Sequence, residues 1–201
     1  MTHAVKLLAC VLLVAVGLGA CAETPPAEPL RLWRSGPHFR GFFNEDNSRG
    51  ILILDNDGNE FFRQQHINLS HKPQFSDAST GANHNNWMRM DLPVGAGQMS
   101  TRFFDTAQGI YSPEYVNIIA QGYGLVFWAE EAANEFLVVH DMFHPQQNRV
   151  YPQLDIWCDG YYGVTNITQQ RIRAEFLGPA QLYIEYKNAD GEFASETITL
   201  Q

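Results

Sequence analysis

The sequence has little positive charge and no apolar run long enough to cross a bilayer as a helix. Lysine and arginine together number 13 against 22 aspartates and glutamates, which gives a net charge of −9 near neutral pH. Because nucleic-acid binding needs clustered basic side chains, this balance argues against a nucleic-acid partner and against electrostatic docking on anionic lipid. The longest apolar run, from Leu7 to Ala20, has 14 residues, whereas a spanning helix needs about 20.

Sequence signatures of the common enzyme classes are also missing. The chain has no Gly-X-Ser-X-Gly nucleophile elbow, no phosphate-binding loop and no dinucleotide fingerprint. Glu130 and Glu131 are adjacent, and a strand would turn them to opposite faces, where they make a poor acid–base pair. We therefore expect a protein without enzymatic activity.

The amino-terminal segment has the order of a secretory signal. A single cation, Lys6, precedes the apolar run, and small residues follow where a signal peptidase would cut. The run ends in Leu18-Gly19-Ala20-Cys21, after which the composition changes abruptly to the Pro/Glu/Ala stretch 22–29. This pattern resembles the lipobox of bacterial lipoprotein precursors.

The resemblance implies removal of residues 1–20 as a signal peptide and lipidation of Cys21 on both its sulfur and its freed amine. Several acyl chains, such as palmitate, at about 0.8 kcal/mol per buried CH₂ give a stable membrane anchor. The next residue is Ala22 rather than aspartate, which in enteric bacteria favours the outer membrane. We expect an outer-membrane protein with residues 21–29 as a solvated tether and residues 30–201 as a single β-rich domain.

The three cysteines leave no pair for a disulfide within the domain. If Cys10 is removed with the signal and Cys21 carries lipid, Cys158 is the single free thiol. Its neighbours Trp157 and Asp159 supply no positive charge that would activate a nucleophile. We expect Cys158 to be a small core residue.

From residue 30 onward, short apolar and aromatic runs alternate with turn signals, a pattern typical of all-β proteins. Asp57-Gly58 between two such runs predicts a hairpin over residues 51–67. Residues 171–200 predict a meander in which Ile172 and Phe176 face inward. The fold class predicted is all-β, an antiparallel β-sandwich or a partly open barrel.

Several segments give less regular predictions. Residues 136–139 are apolar at every position, which favours a central strand covered on both faces. Residues 70–86 are polar and predict a long loop, and Pro93 is expected to end the strand before it. Ser112-Pro113 allows at most one short helix. A further strand, broken by a proline, is expected over residues 149–157.

His140 and His144 are the best candidates for a metal site. On a continuous strand they would share one face with Met142, and His66, His71 or His84 could supply a further ligand for zinc or copper. The alternative is that His144 begins a turn at the following proline and His140 is an edge residue. A calcium site at residues 55–60 is disfavoured, because the glycine stands at position four, not six.

Aromatic side chains form the second candidate site. Trp87, Tyr161 and Tyr162 could provide a platform for a sugar or a protein, with nearby asparagines to recognise hydroxyl groups. The alternative is that these rings fill a large β core. We expect a lipid-anchored envelope protein with a binding or assembly role towards a protein or glycan. The alternative function is metal binding through His140 and His144.

Overall fold

The computed structural model describes residues 29–67, 72–78, 86–95, 97–130, 136–155 and 172–200. Every regular element of these residues is a strand, and no helix occurs among them. Their strands are β1 (Leu32–Ser35), β2 (Phe39–Phe43), β3 (Arg49–Leu54), β4 (Glu60–Ile67), β5 (Gln74–Asp77), β6 (Trp87–Gly95), β7 (Gln98–Asp105), β8 (Ile110–Tyr111), β9 (Tyr115–Val116), β10 (Ala120–Gly122), β11 (Leu125–Glu130), β12 (Phe136–Asp141), β13 (Ile172–Gly178), β14 (Gln181–Lys187) and β15 (Phe193–Thr199). Accordingly, the described residues contain no helix with the length and apolar character needed to traverse a bilayer.

The strands form four antiparallel sheets that follow one another along the chain. The first sheet is β1 to β4 and the second is β5 to β8, with β9 pairing to β7. The third sheet is β10 to β12 and the fourth is β13 to β15. Almost every pairing joins strands that are neighbours in sequence, as expected for hairpins joined by short turns.

The core shows that these sheets are stacked face to face. Phe104 of β7 packs in a cluster with the first sheet, whereas its neighbour Phe103 packs with the third. Phe127 of β11 faces a third cluster shared with the fourth sheet. Because neighbouring side chains of a strand point to opposite faces, the second and third sheets are covered on both sides. No sheet among the described residues closes on itself, and the arrangement is a β-sandwich, as predicted.

The predicted hairpin and meander are confirmed. Asp55 N donates to Asn59 O at 2.9 Å, and Gly58 has a φ of 86°, the left-handed conformation that the turn requires. In the last sheet Ile172 and Phe176 are buried. The strand predicted over residues 136–139 is covered on both faces, since Val138 and Val139 are both fully buried. It is not central, because β12 lies at the edge of the third sheet, with a single bridge to Val150 on its other side.

In the turn at residues 55–59, an acidic side chain has a structural role. Asp55 Oδ1 accepts hydrogen bonds from the backbone N–H groups of Asp57 and Asn59 at 2.9 and 2.8 Å, and Asn59 Nδ2 donates to Oδ2. The hydrogen bonds from Asn59 hold the pKa of the Asp55 carboxyl below its usual value. This carboxylate therefore stabilises the turn by accepting hydrogen bonds from the backbone of the turn.

Three local predictions were wrong. β6 continues through Pro93 to Gly95, with a bulge after the proline, so Pro93 does not end the strand. β5 lies inside the segment predicted as a loop. The segment that allowed at most one short helix contains none, and Ser112 Oγ instead accepts a hydrogen bond from Phe103 N at 3.0 Å. Of residues 149–155, only Val150 pairs, in a single bridge.

Candidate functional site

Four of the residues proposed above for binding or metal lie among the described residues: His66, Trp87, His140 and His144. The others lie outside the described residues: Cys21, His71, His84, Cys158, Tyr161 and Tyr162.

His140 lies in the core between the second and third sheets, with 1% of its surface exposed. Its Nε2 accepts a hydrogen bond from Trp128 Nε1 at 2.9 Å, and its Nδ1 lies 2.8 Å from the carbonyl oxygen of Asp141. Because a carbonyl can only accept, these partners assign the proton to Nδ1. Burial lowers the pKa of His140, which keeps the ring neutral. Both ring nitrogens are therefore engaged inside the protein.

His144 lies in a different environment from His140. β12 ends at Asp141, whose Oδ1 accepts from the N–H groups of Phe143 and His144 at 2.9 and 2.8 Å. The side chain of His144 is 58% exposed, with Nδ1 3.2 Å from the same carboxylate oxygen. Because the strand ends before residue 144, the alternation of side chains along a strand does not place the two imidazoles on one face. Among the described residues, no group of three potential ligands is close enough to hold a metal ion.

Trp87 lines an open groove of about 320 Å³ at one end of the first two sheets. We call it the Trp87 groove, and its lining residues are Pro37, His38, Phe39, Phe75, Ser76, Asp77, Asn86, Trp87, Met88 and Thr106. They come from the start of β2 and β6 and from the end of β5 and β7. Four separate chain segments therefore meet here, which is why only Trp87 and its neighbouring asparagine were suggested by the sequence.

The indole of Trp87 is held in a fixed orientation. Its Nε1 donates to Asp105 Oδ2 at 2.9 Å, and its ring packs edge-to-face on Phe143 with centroids 5.2 Å apart. Gly124 lies under the ring, because a Cβ at that position would be 3.2 Å from the indole. Trp87 is thus a lining residue whose indole packs in the core between the second and third sheets, on the opposite face of the second sheet from Phe75 and Met88.

The floor of the Trp87 groove is aromatic. Phe39 and Phe75 stack with centroids 4.0 Å apart and an angle of 14° between the rings. The guanidinium carbon of Arg34 lies 5.5 and 5.8 Å from the two centroids, and its Nη1 donates to Pro73 O at 3.3 Å. This cation–π arrangement joins the first sheet to the second and keeps the floor rigid.

The polar side of the groove contains one unsatisfied atom. Thr106 donates twice to the carbonyl of Asn86, from N at 2.9 Å and from Oγ1 at 3.0 Å, and Asn56 Nδ2 donates to Asn86 Oδ1 at 3.3 Å. His38 Nδ1 is buried and has no hydrogen-bond partner among the described residues. Leaving such an atom unpaired costs about 1–3 kcal/mol.

A second cluster, which the sequence did not suggest, brings Asp46, Ser48 and His66 together. His66 has a φ of 56° at a bulge in β4, and its ring lies beside the turn at residues 44–48, which precedes β3. Ser48 Oγ and Asp46 Oδ2 lie 3.0 and 3.4 Å from the same ring nitrogen, Nδ1. A nucleophilic triad needs the serine and the carboxylate on opposite nitrogens. This cluster therefore fastens the turn to the strand.

The arrangement of the Trp87 groove suits binding better than chemistry. Of the described residues that line it, only His38 and Asp77 have ionisable side chains, and none is a cysteine, lysine or arginine. Aromatic walls with a few polar groups are typical of ligand-binding grooves. Comparisons with protein-family models, with curated proteins and with solved structures give no match, so the function is inferred from the residues of this chain alone.

Proposed function

We propose that this chain is a lipid-anchored protein of the bacterial outer membrane that binds a partner through the Trp87 groove without catalysing a reaction. The motif Leu18-Gly19-Ala20-Cys21 at the end of a 14-residue apolar run carries the anchoring part. β1 begins at Leu32, eleven residues after Cys21. Eleven residues span at most about 40 Å, so the anchor would hold the sandwich close to the membrane surface.

The binding part of the proposal is supported by the shape and chemistry of the Trp87 groove. Its volume of about 320 Å³ is at the lower end of the range of roughly 300–1,000 Å³ for ligand sites. The stacked rings of Phe39 and Phe75 present a preformed apolar surface, which reduces the conformational entropy lost on binding. A binding protein held at the envelope surface by lipid is the simplest function that uses both features.

Replacing Cys21 with Ser should abolish lipidation, because the resemblance assigns the acyl chains to this thiol and its amine. We expect radiolabelled palmitate to enter the natural protein and not the Cys21→Ser variant, which should also leave the membrane fraction. Cys158→Ser is the matched control and should be labelled and membrane-bound like the natural protein. Label in Cys21→Ser, or none in the natural protein, would contradict the anchor.

A metal-binding role would have to displace Trp128 or Asp141 from a ring nitrogen of His140. We therefore expect zinc or copper added to protein purified without a histidine tag to leave the melting temperature unchanged, since a ligand stabilises only if it binds the folded state. Chelator treatment should have equally little effect. A rise with either metal that is lost in His140→Leu would replace the proposed role with metal binding.

A further inference from the structure

The first sheet has a second face, opposite the one that packs on the second sheet. Ile51 and Ile53 point into the core cluster shared with the second sheet, so the alternation of side chains places Leu52 on the opposite face. The strand register puts Phe42 on the same face as Leu52, and Leu32 directly opposite Phe42. We call this surface the outer face of the first sheet, and its residues are Leu30, Leu32, Phe42, Leu52 and Arg63.

Two leucines of the outer face form an exposed apolar ledge at the start of the domain. Leu30 and Leu32 are two positions apart, and 44% and 46% of their surfaces are exposed. Phe42 and Leu52 extend the apolar surface beneath them, since both are buried but belong to none of the core clusters of the described residues. Leu30 and Phe42 also line an open groove of about 460 Å³. The ledge is therefore a continuous apolar surface and not a single exposed side chain.

The charges around the ledge indicate the kind of surface that it fits. Arg63 lies over the Phe42 ring, with its guanidinium carbon 5.0 Å from the centroid, and its Nε donates to Glu60 Oε1 at 2.7 Å. The carboxylates of Glu45 and Asp46 also line the groove. This balance provides no attraction to anionic lipid. Contact with a membrane would therefore come from the leucines, and a zwitterionic phospholipid surface fits the outer face best.

The position of the ledge relative to the proposed anchor favours lipid as its partner. Leu30 follows Cys21 by nine residues, which span at most about 30 Å. The other face of the first sheet is covered by the second sheet, so the outer face is one end of the stack. The exposed leucines are thus the first apolar residues of the domain to follow the tether, and they can reach the membrane with little ordering of the chain.

The opposite end of the stack lacks such a ledge. The exposed apolar residues of the fourth sheet are Leu177 and Phe193. Leu177 lies beside the turn from β13 to β14, whereas Phe193 pairs with Lys187 at the far end of β14. These two side chains are therefore separated by the length of the strand, and they do not form one patch.

We propose that the outer face of the first sheet rests on the phospholipid surface of the membrane, with Leu30 and Leu32 inserted at the level where headgroups meet acyl chains. This inference rests on the proposed anchor. The two leucine side chains contain fewer carbons than one myristoyl chain, which alone binds membranes only marginally. The contact therefore orients the domain, while the lipid on Cys21 holds it, and the acidic last sheet is directed away from the membrane.

Fluorescence quenching by spin-labelled lipid tests the inference on the full lipidated chain in phosphatidylcholine vesicles. A Cys158→Ser background leaves one introduced thiol for an environment-sensitive dye, because the sulfur of Cys21 carries lipid. The dye is attached at Leu32→Cys, or at Phe193→Cys as the matched exposed position on the last sheet. A nitroxide near the top of the acyl chain should quench the dye at residue 32 about fivefold more than at residue 193, since an interfacial side chain reaches that depth.

A charged substitution on the ledge gives a second measurement. Leu30→Glu places a carboxylate beside the dye at residue 32, where leaving water is costly, and should lower its quenching to the value at residue 193. Val94→Glu is the control, because Val94 is 47% exposed on the second sheet, and it should leave the quenching at residue 32 unchanged. A dye at Leu30→Cys provides the same comparison if Leu32→Cys does not fold.

The outcomes separate this inference from the proposed function. Equal quenching at residues 32 and 193, or equal effects of Leu30→Glu and Val94→Glu, would overturn the inference and leave the anchor intact. A shift of dye emission at residue 32 without quenching by nitroxide lipid would indicate contact with a second copy of the chain and would also overturn it. Absence of palmitate label in the natural protein would contradict the anchor, and this inference with it.

Discussion

At the scale of single residues, His140 shows how a candidate ligand becomes a core residue. Trp128 and the carbonyl of Asp141 use both ring nitrogens, and the ring is packed 5.6 Å from that of Tyr115. Arg149, Glu130 and Asp141 are the charged groups near enough to influence it. The sequence could place two histidines four residues apart. It could not indicate that the strand ends at residue 141, because a side-chain hydrogen bond network defines that end.

The buried imidazole should make the protein sensitive to acid. An unfolded histidine has a pKa of about 6.5, and burial lowers the pKa of His140 in the folded state. Below pH 6.5 the unfolded chain therefore binds the proton and the folded chain does not. Stability should be complete above this pH and should fall below it, at up to about 1.4 kcal/mol per pH unit.

Urea unfolding at several pH values between 7.5 and 5 measures this effect. Protonation would also place an N–H on Nε2 opposite the N–H of Trp128, so tryptophan fluorescence should report the transition. His140→Leu should have a flatter pH dependence than the natural protein. His144→Leu, which changes an exposed ring, should keep the natural slope. Equal slopes for natural protein and His140→Leu would contradict the assignment.

At the scale of elements, the tight turns could be predicted from the sequence, whereas the short strands that depend on pairing with other strands could not. Two tight turns contain Asp57-Gly58 and Asn188 to Gly191. In each turn a side-chain oxygen accepts a hydrogen bond from a backbone N–H of the same turn, so these hairpins could be predicted. β5 and β9 are short and are defined by the strands they pair with. The same holds for the groove, since His38 and Thr106 enter it only through the packing of two sheets.

The contact between β1 and β2 depends on a missing side chain. Trp33 of β1 lies over Gly41 of β2, where a Cβ would be 2.5 Å from the indole Cε2, and its Nε1 donates to Phe42 O at 2.9 Å. Gly41→Ala should force the ring from this position and lower the free energy of unfolding by about 1–3 kcal/mol. Thermal or urea denaturation measures the loss.

Gly178→Ala provides the matched control for this substitution. Gly178 also lies in a strand, at the end of β13, and nothing lies within 4 Å of a Cβ added there. Its stability should stay within about 0.5 kcal/mol of the natural protein. If both variants lose the same stability, the close approach of Trp33 is not the cause.

At the scale of the whole molecule, charge is distributed unevenly along the stack. Residues 29–67 carry five arginines and five acidic residues, whereas residues 172–200 carry two basic and five acidic ones. The first sheet is therefore neutral and the last sheet is acidic. Repulsion from anionic lipid would be smallest at the sheet nearest the proposed anchor.

The stacking of the sheets predicts a single unfolding transition. The second and third sheets each contribute to two core clusters, so no sheet can leave the stack without exposing the core of its neighbour. We expect urea midpoints from near-ultraviolet and far-ultraviolet circular dichroism to coincide. Two separate midpoints would indicate that the stack divides into independent units.

The order of the strands has a consequence for biogenesis. Because each described strand pairs mainly with its predecessor, the loops that folding must close are short and their entropic cost is small. A chain synthesised from its amino terminus could complete each hairpin before the following one arrives. The apolar face of the second sheet would then stay exposed until β11 covers it, which makes that interval the one in which the growing chain is most prone to aggregate.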